Sequence, residues 1–213
     1  MTVAPTRLLV MGAVRTFEPV NGYQIRRELI SWNVQEWAHI QPGSIYSALS
    51  TLTNKGHLER HDLLDGGREV AVYTTTEAGR AEMYRQQGLA LETVDPYAPR
   101  GFQTGLALAS LLTRSAFLEH LRRRREALVE HQRIGEGKLG AAASSPPHVT
   151  AMLAHWQRMI SAELGWLDEL LASVEEGWLE FAGEHPQWRP APDDPGWDIV
   201  AEKRRYRELL GWQ

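Results

Sequence analysis

Apolar positions recur at threes and fours through the first part of the chain, then at twos, then at threes and fours again. Residues 6–17, with RLLVMGAVRTF inside them, read as a helix. Asn21-Gly22 marks a turn, and residues 23–30 form a second helix with Ile25 and Leu29 on one face and Arg26 and Arg27 beside them. The link SWNVQEWAHI carries Trp32, Trp37 and Ile40, expected to fold over the core, and a third helix is entered at Pro42 and left near Asn54. Beyond Gly56 the period becomes two: HLERHDLL, DGG and REVAVYT read as a β-hairpin with Asp65, Gly66 and Gly67 at its tip. Thr75 or Thr76 then caps a helix running to about Val94, with Glu77 in its first turn.

DPYAPRG (95–101) breaks the pattern and sets a domain boundary. Two long helical patterns follow, at 102–133 and 149–184, joined by GEGKLGAAASSPPH as a flexible turn. A proline-rich tail from Pro186 closes in a short charged helix, IVAEKRRYRELL. The expected architecture is mainly α with a small β-hairpin: an N-terminal winged helix-turn-helix (1–95), a C-terminal long-helix dimerisation and effector domain (96–185), and the tail (186–213).

Three helices followed by a hairpin is the order of a winged helix, whose third helix enters the major groove while the hairpin lies along the DNA backbone. With Ile45 as zero and about 100° per residue, Ala48, Leu49 and Leu52 stay within about 60° of it. Ser47, Ser50 and Asn54 fall opposite, with Thr51 at the edge of that face. Pro42 suits the first turn, and Gly43 and Ser44 leave the helix N-terminus open to a phosphate. Tyr46 is placed to reach a phosphate through its hydroxyl. Periodicity alone equally describes a helix with a merely polar outer face; the glycine-tipped hairpin downstream tips the balance.

GYQIRREL (22–29), EWAHIQPGSIYSALSTLTNKGHLE (36–59) and GGREVAVYTTTEAGRAE (66–82) together resemble the PadR family of bacterial transcriptional regulators. The later helices, GLALASLLTRSAFLEHLRRRREAL and MLAHWQRMISAELGWLDELL, are similar to the larger PadR subgroup with a helical dimerisation domain. The resemblance implies a homodimeric repressor on palindrome-like double-stranded operator DNA, released by a small aromatic or hydrophobic effector. By motif it carries over Tyr23, Ser44, Tyr46 and Ser47 as DNA-contact residues, with Arg68 on the wing. Two features depart from that pattern. The recognition helix has no Arg or Lys before Lys55, which removes bidentate guanine readout from its centre, and Asp65 and Glu69 flank Arg68.

Charge sharpens this tension. The net charge is −4, and the two parts divided after Asp95 hold 9 Lys+Arg against 11 Asp+Glu and 14 against 16, so each is −2. DNA binding would therefore use a local patch and not a basic domain. A helical homodimer that binds a ligand or protein, with a winged helix that does not read DNA sequence, is the alternative. In the C-terminal half the apolar stripe of the 149–184 helix, Leu171 within it, is the natural partner surface, packing inside the chain being its simpler use. RRRR (122–125) reads as a solvated face paired with Glu119, Glu126 and Glu130. Six of the eight tryptophans, Trp188 among them, follow residue 150. Trp37, His155 and Trp156 are the candidate effector pocket.

No cysteine is present, which excludes disulfides, thiolate metal sites and a cysteine nucleophile. No catalytic motif, P-loop or dinucleotide fingerprint occurs, and no cofactor or metal is expected. His57 and His61 share a strand face but sit roughly 13 Å apart, too far to hold one ion. The apolar run at the start is too short to span a bilayer, so no membrane role and a cytoplasmic location are expected.

Overall fold

The computed structural model describes residues 4–96, 98–142, 145–185, 191–194 and 196–212. They divide into two compact units, Met1–Gln87 with Pro186–Gln213, and Gly88–His185. The sequence pattern places the first boundary at Asp95 and sets the tail apart; by contacts the division falls within a helix, and the tail groups with the first unit.

The first unit begins with α1 (Pro5–Phe17), whose residues from Leu8 to Val14 are all buried. The two-residue strand β1 (Val20–Asn21), not expected from sequence, leads into α2 (Gly22–Ser31). Asn21 does not merely turn the chain. Its Oδ1 accepts from the Gln24 N–H at 2.9 Å while the Gln24 side chain accepts from the Asn21 N–H at 3.0 Å, a capping box that fixes where α2 starts. The Trp-bearing link contains one more short helix, α3 (Val34–Trp37), before α4 (Pro42–Asn54).

Strands β2 (Leu58–Asp65) and β3 (Arg68–Thr75) pair antiparallel from Leu58↔Thr75 to Asp65↔Arg68, and β1 pairs with β3, giving the order β1-β3-β2. The loop is the two residues Gly66 and Gly67, both left-handed at φ 56° and 83°, as a type I′ turn requires. Thr76 caps α5 (Glu77–Glu92): its Oγ1 accepts from the Gly79 N–H at 2.9 Å and donates to the Gly56 carbonyl at 2.6 Å. Thr75 is occupied elsewhere, its N–H and hydroxyl donating to Glu18 at 2.6 and 2.8 Å.

In the second unit the helix expected over 102–133 is two: α6 (Arg100–Ala107) and α7 (Arg114–Ala141), separated by a 3-10 turn at Ala109–Leu111. Thr113 causes the restart, accepting from the Ala116 N–H at 3.3 Å. Helix α7 also runs on through the first half of the segment expected to be a flexible turn. Helix α8 (Pro147–Glu175) stops earlier than expected, with Gly177 at φ 93° beyond it. Phe181 then turns back into the core, its ring 5.3 Å from that of Phe117. Ile160, Leu164, Leu167 and Val174 of α8 are buried in that core, and Leu171 packs against it partly buried. The α8 stripe is thus filled from within the chain.

RRRR is not wholly a solvated face. Arg122, Arg123 and Arg125 are exposed and pair with Glu175, Glu92 and Asp168. Arg124 is only 2% exposed and donates to Glu163 at 2.7 Å and to the Thr93 carbonyl at 2.6 Å. Its guanidinium also lies 3.8 Å over the Phe102 ring. Of the three carboxylates expected to pair with the run, Glu119 does so, with Arg123; Glu126 forms no such pair among the described residues, and Glu130 instead accepts from Arg133. Among the described residues no helix is long and apolar enough to cross a membrane.

Candidate nucleic-acid interface

Helix α4 divides as its sequence requires. Ile45, Ala48, Leu49 and Leu52 are buried, and Tyr46, Ser47, Ser50 and Asn54 are exposed, with Tyr46 47% open to solvent. Pro42 occupies the first turn, and the Gln41 side chain makes no cap hydrogen bond, so no side chain covers the first N–H groups. A Cβ on Gly43 would meet nothing within 4 Å. The glycine is therefore not demanded by packing within the protein, and its effect is to leave room at the helix start.

The hydroxyls on this face are not idle. Ser44 donates to the Gln41 carbonyl at 2.6 Å and Thr51 to the Ser47 carbonyl at 2.8 Å, while Ser47 reaches the Gly43 carbonyl only at 3.4 Å. Phosphate oxygens only accept, so Ser44 and Thr51 would have to rotate away from their carbonyls to bind one. Ser47, with the longest bond, gives up least. Thr51 and Ser44 are half-buried, and Tyr23, at the start of α2, is 62% exposed. Arg68 is exposed beside the hairpin turn, directly opposite Asp65.

Two placements were not expected from the sequence: that of Arg7 and the docking of the terminal charged helix. Arg7, exposed near the start of α1, lines a groove together with Ser44, Ser47 and Thr51 of α4. It brings to this face the cation that α4 itself lacks. Its signal was only a charged residue one turn into an apolar helix, and nothing local says which neighbour that turn meets.

The second placement is that of α9 (Trp197–Leu209), which buries Ile199 and Tyr206 in the first unit. The Asn21 side-chain amide donates to the Tyr206 hydroxyl at 2.9 Å, so the residue that caps α2 also holds α9. Gln24 donates to Glu202, Arg205 pairs with Asp65 at the wing tip, and the rings of Trp212 and His61 meet edge to face at 5.9 Å. Asp65, one of the two carboxylates flanking Arg68 on the wing, is thus offset by a cation 140 residues later in the chain. Burial raises the Tyr206 phenol above its ordinary value, against the lowering effect of the Asn21 hydrogen bond. The spacing of Ile199, Tyr206 and Leu210 was the legible signal: an apolar stripe on a charged helix needs a surface to cover.

The three candidate effector-pocket residues belong to different units. Trp37 belongs to the first and donates from its indole to the Trp32 carbonyl at 2.8 Å. His155 and Trp156 belong to the second, on α8, exposed and half-buried respectively. Trp188 lies outside the described residues. Among the described residues no group of three or more His, Cys, Asp or Glu side chains could hold a metal ion. His61 instead meets the Thr74 hydroxyl at 3.0 Å.

Residues 10–85 match the model of the transcriptional regulator PadR-like family. Among solved structures the chain is similar to PadR of Bacillus subtilis, whose crystal structure is in complex with operator DNA. That likeness has 19% identity and a TM-score of 0.34, covering 79% of this chain and 98% of that one. No match is found among curated proteins. The match over 10–85 runs from within α1 to within α5, with the hydroxyl-faced helix and the glycine-tipped hairpin both inside it, so this part of the chain is similar to the domain that the transcriptional regulator PadR-like family shares.

Proposed function

We propose that the protein is a DNA-binding transcriptional regulator, acting as a homodimeric repressor that a small aromatic or hydrophobic effector releases. The observation that carries DNA binding is the divided α4: an open N-terminus and an exposed Tyr46–Ser47–Ser50–Asn54 face on a helix pinned by four buried apolar side chains. Arg7 beside that face and Arg68 on the hairpin supply charge for the DNA backbone. Tyr23, Gly43, Ser44 and Thr51 complete the proposed contact set. Serine hydroxyls discriminate bases weakly, so affinity rests on phosphates and on DNA shape.

For the dimer, the support is a second stripe on α8. Met152, Met159 and Trp166 recur every seven residues and remain 45%, 42% and 41% exposed. Seven-residue spacing keeps them on one face of the helix, as a helix-to-helix seam requires. Two copies would then offer two α4 helices to half-sites about 34 Å apart.

The test is fluorescence anisotropy with DNA from upstream of the protein's own gene, against a shuffled duplex, across a salt series. Tight binding to the native duplex only is expected. Tyr46→Phe and Ser47→Ala should each weaken it about fivefold, corresponding to ~1 kcal/mol for a lost hydrogen bond. Arg7→Ala should lower the slope of log K against log salt by about one per half-site. Selection of bound fragments from the whole genome covers an operator located elsewhere. Equal, weak binding to every duplex, with all three variants unchanged, would leave the helical dimer as an interaction module whose winged helix does not read sequence.

A further inference from the structure

Where α9 lies on the first unit, it closes one side of a cleft of about 410 Å³. Arg15 of α1, Arg80 of α5, and Lys203 and Arg207 of α9 line it, against the carboxylates of Glu18 and Glu59. Glu18 is fully used, accepting from Arg15 at 2.5 Å and from the Thr75 N–H and hydroxyl at 2.6 and 2.8 Å. Glu59 is turned to solvent, its side chain 64% exposed and 3.9 Å from His61. Arg80 spends its guanidinium on a neutral acceptor, the Thr75 carbonyl at 2.9 Å. Among the described residues neither Arg80 nor Lys203 forms a salt bridge. Lys203 is half-buried, so its ammonium gives up water and gains only the through-space attraction of Glu18, which already serves Arg15 and Thr75.

We propose that this cleft binds a small doubly charged oxyanion, a phosphate group or a pair of carboxylates, between Lys203 and Arg207 on one side and Arg80 and Arg15 on the other. Arg80 and Lys203, neither of which forms a salt bridge among the described residues, supply the two positive charges that a dianion would answer. Guanidinium and ammonium groups converging on one space bind oxyanions through short, charge-assisted hydrogen bonds. The Lys203 ammonium is pushed below the ordinary lysine range by burial and by the nearby Arg207 and Arg15, against the pull of Glu18. A bound dianion relieves that repulsion. Trp212, at the rim and 44% exposed, offers a ring to any apolar part of the ligand. The bound anion ties α9 to α1 and α5, and so fastens the helix that also holds the wing tip through Arg205 and Asp65.

The site does not depend on the DNA-binding reading, and its test uses no DNA in the first arm. The full chain is titrated by calorimetry with inorganic phosphate and, separately, with succinate, ionic strength being held constant with chloride. At least one dianion should bind, and the stronger one assigns tetrahedral phosphate or paired carboxylates as the ligand chemistry. Lys203→Met, which keeps the apolar stem, should weaken that binding at least tenfold with an unchanged circular dichroism spectrum. Arg204→Gln removes an equal charge from α9 outside the cleft and should leave it unchanged. Equal losses in the two variants would reduce the effect to net charge and overturn the proposal. So would the failure of both anions to bind at about 20 mM, some 2.3 kcal/mol of standard binding energy. A second arm adds duplex DNA. If DNA alone responds to Lys203→Met, the cations serve the DNA backbone and there is no small-ligand site.

Discussion

The two units of the chain are held together by different chemistry. In the first, short hydrogen bonds sit where the chain changes direction: the Asn21–Gln24 capping box, the Thr76 cap reaching back to Gly56, and the Gly66-Gly67 turn. In the second, long helices are sealed over an apolar core, and one buried arginine gathers the ends. Arg124 joins Glu163, the Leu91 and Thr93 carbonyls and the Phe102 ring. The first arrangement holds α4 and the hairpin in a fixed relation, which a surface that must match DNA requires. The second leaves α8 long and regular, with Met152, Met159 and Trp166 still partly exposed at seven-residue spacing, although the Trp166 ring also meets that of Phe102 edge to face. Breaking one contact of each kind should therefore damage one unit and spare the other.

Gly79 is the largest expected effect. A Cβ there would lie 1.8 Å from the His57 carbonyl oxygen, and backbone on both sides would have to move. Gly79→Ala should cost roughly 3 kcal/mol or more, since overpacking against backbone cannot be relieved by a side-chain rotation. Hydrogen exchange read by mass spectrometry should show faster exchange in α1, β2 and β3, with α7 and α8 protected as before. Uniform loss of protection would mean that the two units unfold as one.

Arg124→Met comes next and strikes the other unit. It leaves the Thr93 carbonyl without its 2.6 Å donor and Glu163 without its partner. Removing one member of a buried pair costs roughly 3–5 kcal/mol, but the Glu163 side chain is 28% exposed and can rehydrate, so about 2 kcal/mol is expected. Exchange should now rise in α7 and α8 and not in the hairpin. A variant as stable as the parent would show that the methionine fills the core as well as the ion pair does.

The same contrast decides what the sequence made legible. Helices α1, α2, α4 and α5 and the hairpin come out within two residues or so, because their limits are written locally in proline, asparagine, threonine and glycine. The polar face of α4 was equally plain, for it needs only the helical period. Burial of Arg124 was not, since four consecutive arginines point around the whole circumference of α7 and only the position of α8 says which one goes inside. The break at Thr113 was hidden by apolar residues that continue the period across it. Helix α9 shows the third kind of failure. Its stripe was present in the sequence, but the surface it covers, Asn21 and the wing, lies some 180 residues earlier at its nearest hydrogen bond.

Glu82 gives the smallest effect and tests whether the first unit's short-range contacts can be taken apart singly. Its carboxylate accepts from Arg85 at 2.7 and 2.8 Å and from Gln86 at 2.9 Å, one turn along the same helix. Arg85's hydrogen bonds, opposed by burial and helped by Gln86 and the charges of Arg85 and His57, hold its pKa at about 2, against 4.5 ordinarily. A depressed carboxylate stabilises the fold above its unfolded value, and that contribution fades as the pH falls from about 4.5 through about 2. The partners are solvent-accessible, so screening leaves only a small part of the nominal linkage energy, about 0.5 kcal/mol. Glu82→Gln should accordingly lower Tm by about 1–2 °C at pH 7 and converge on the parent near pH 2. A difference that stays constant from pH 7 to pH 2 would show that the carboxylate's charge contributes nothing, and that Gln86 and the helix alone hold this turn.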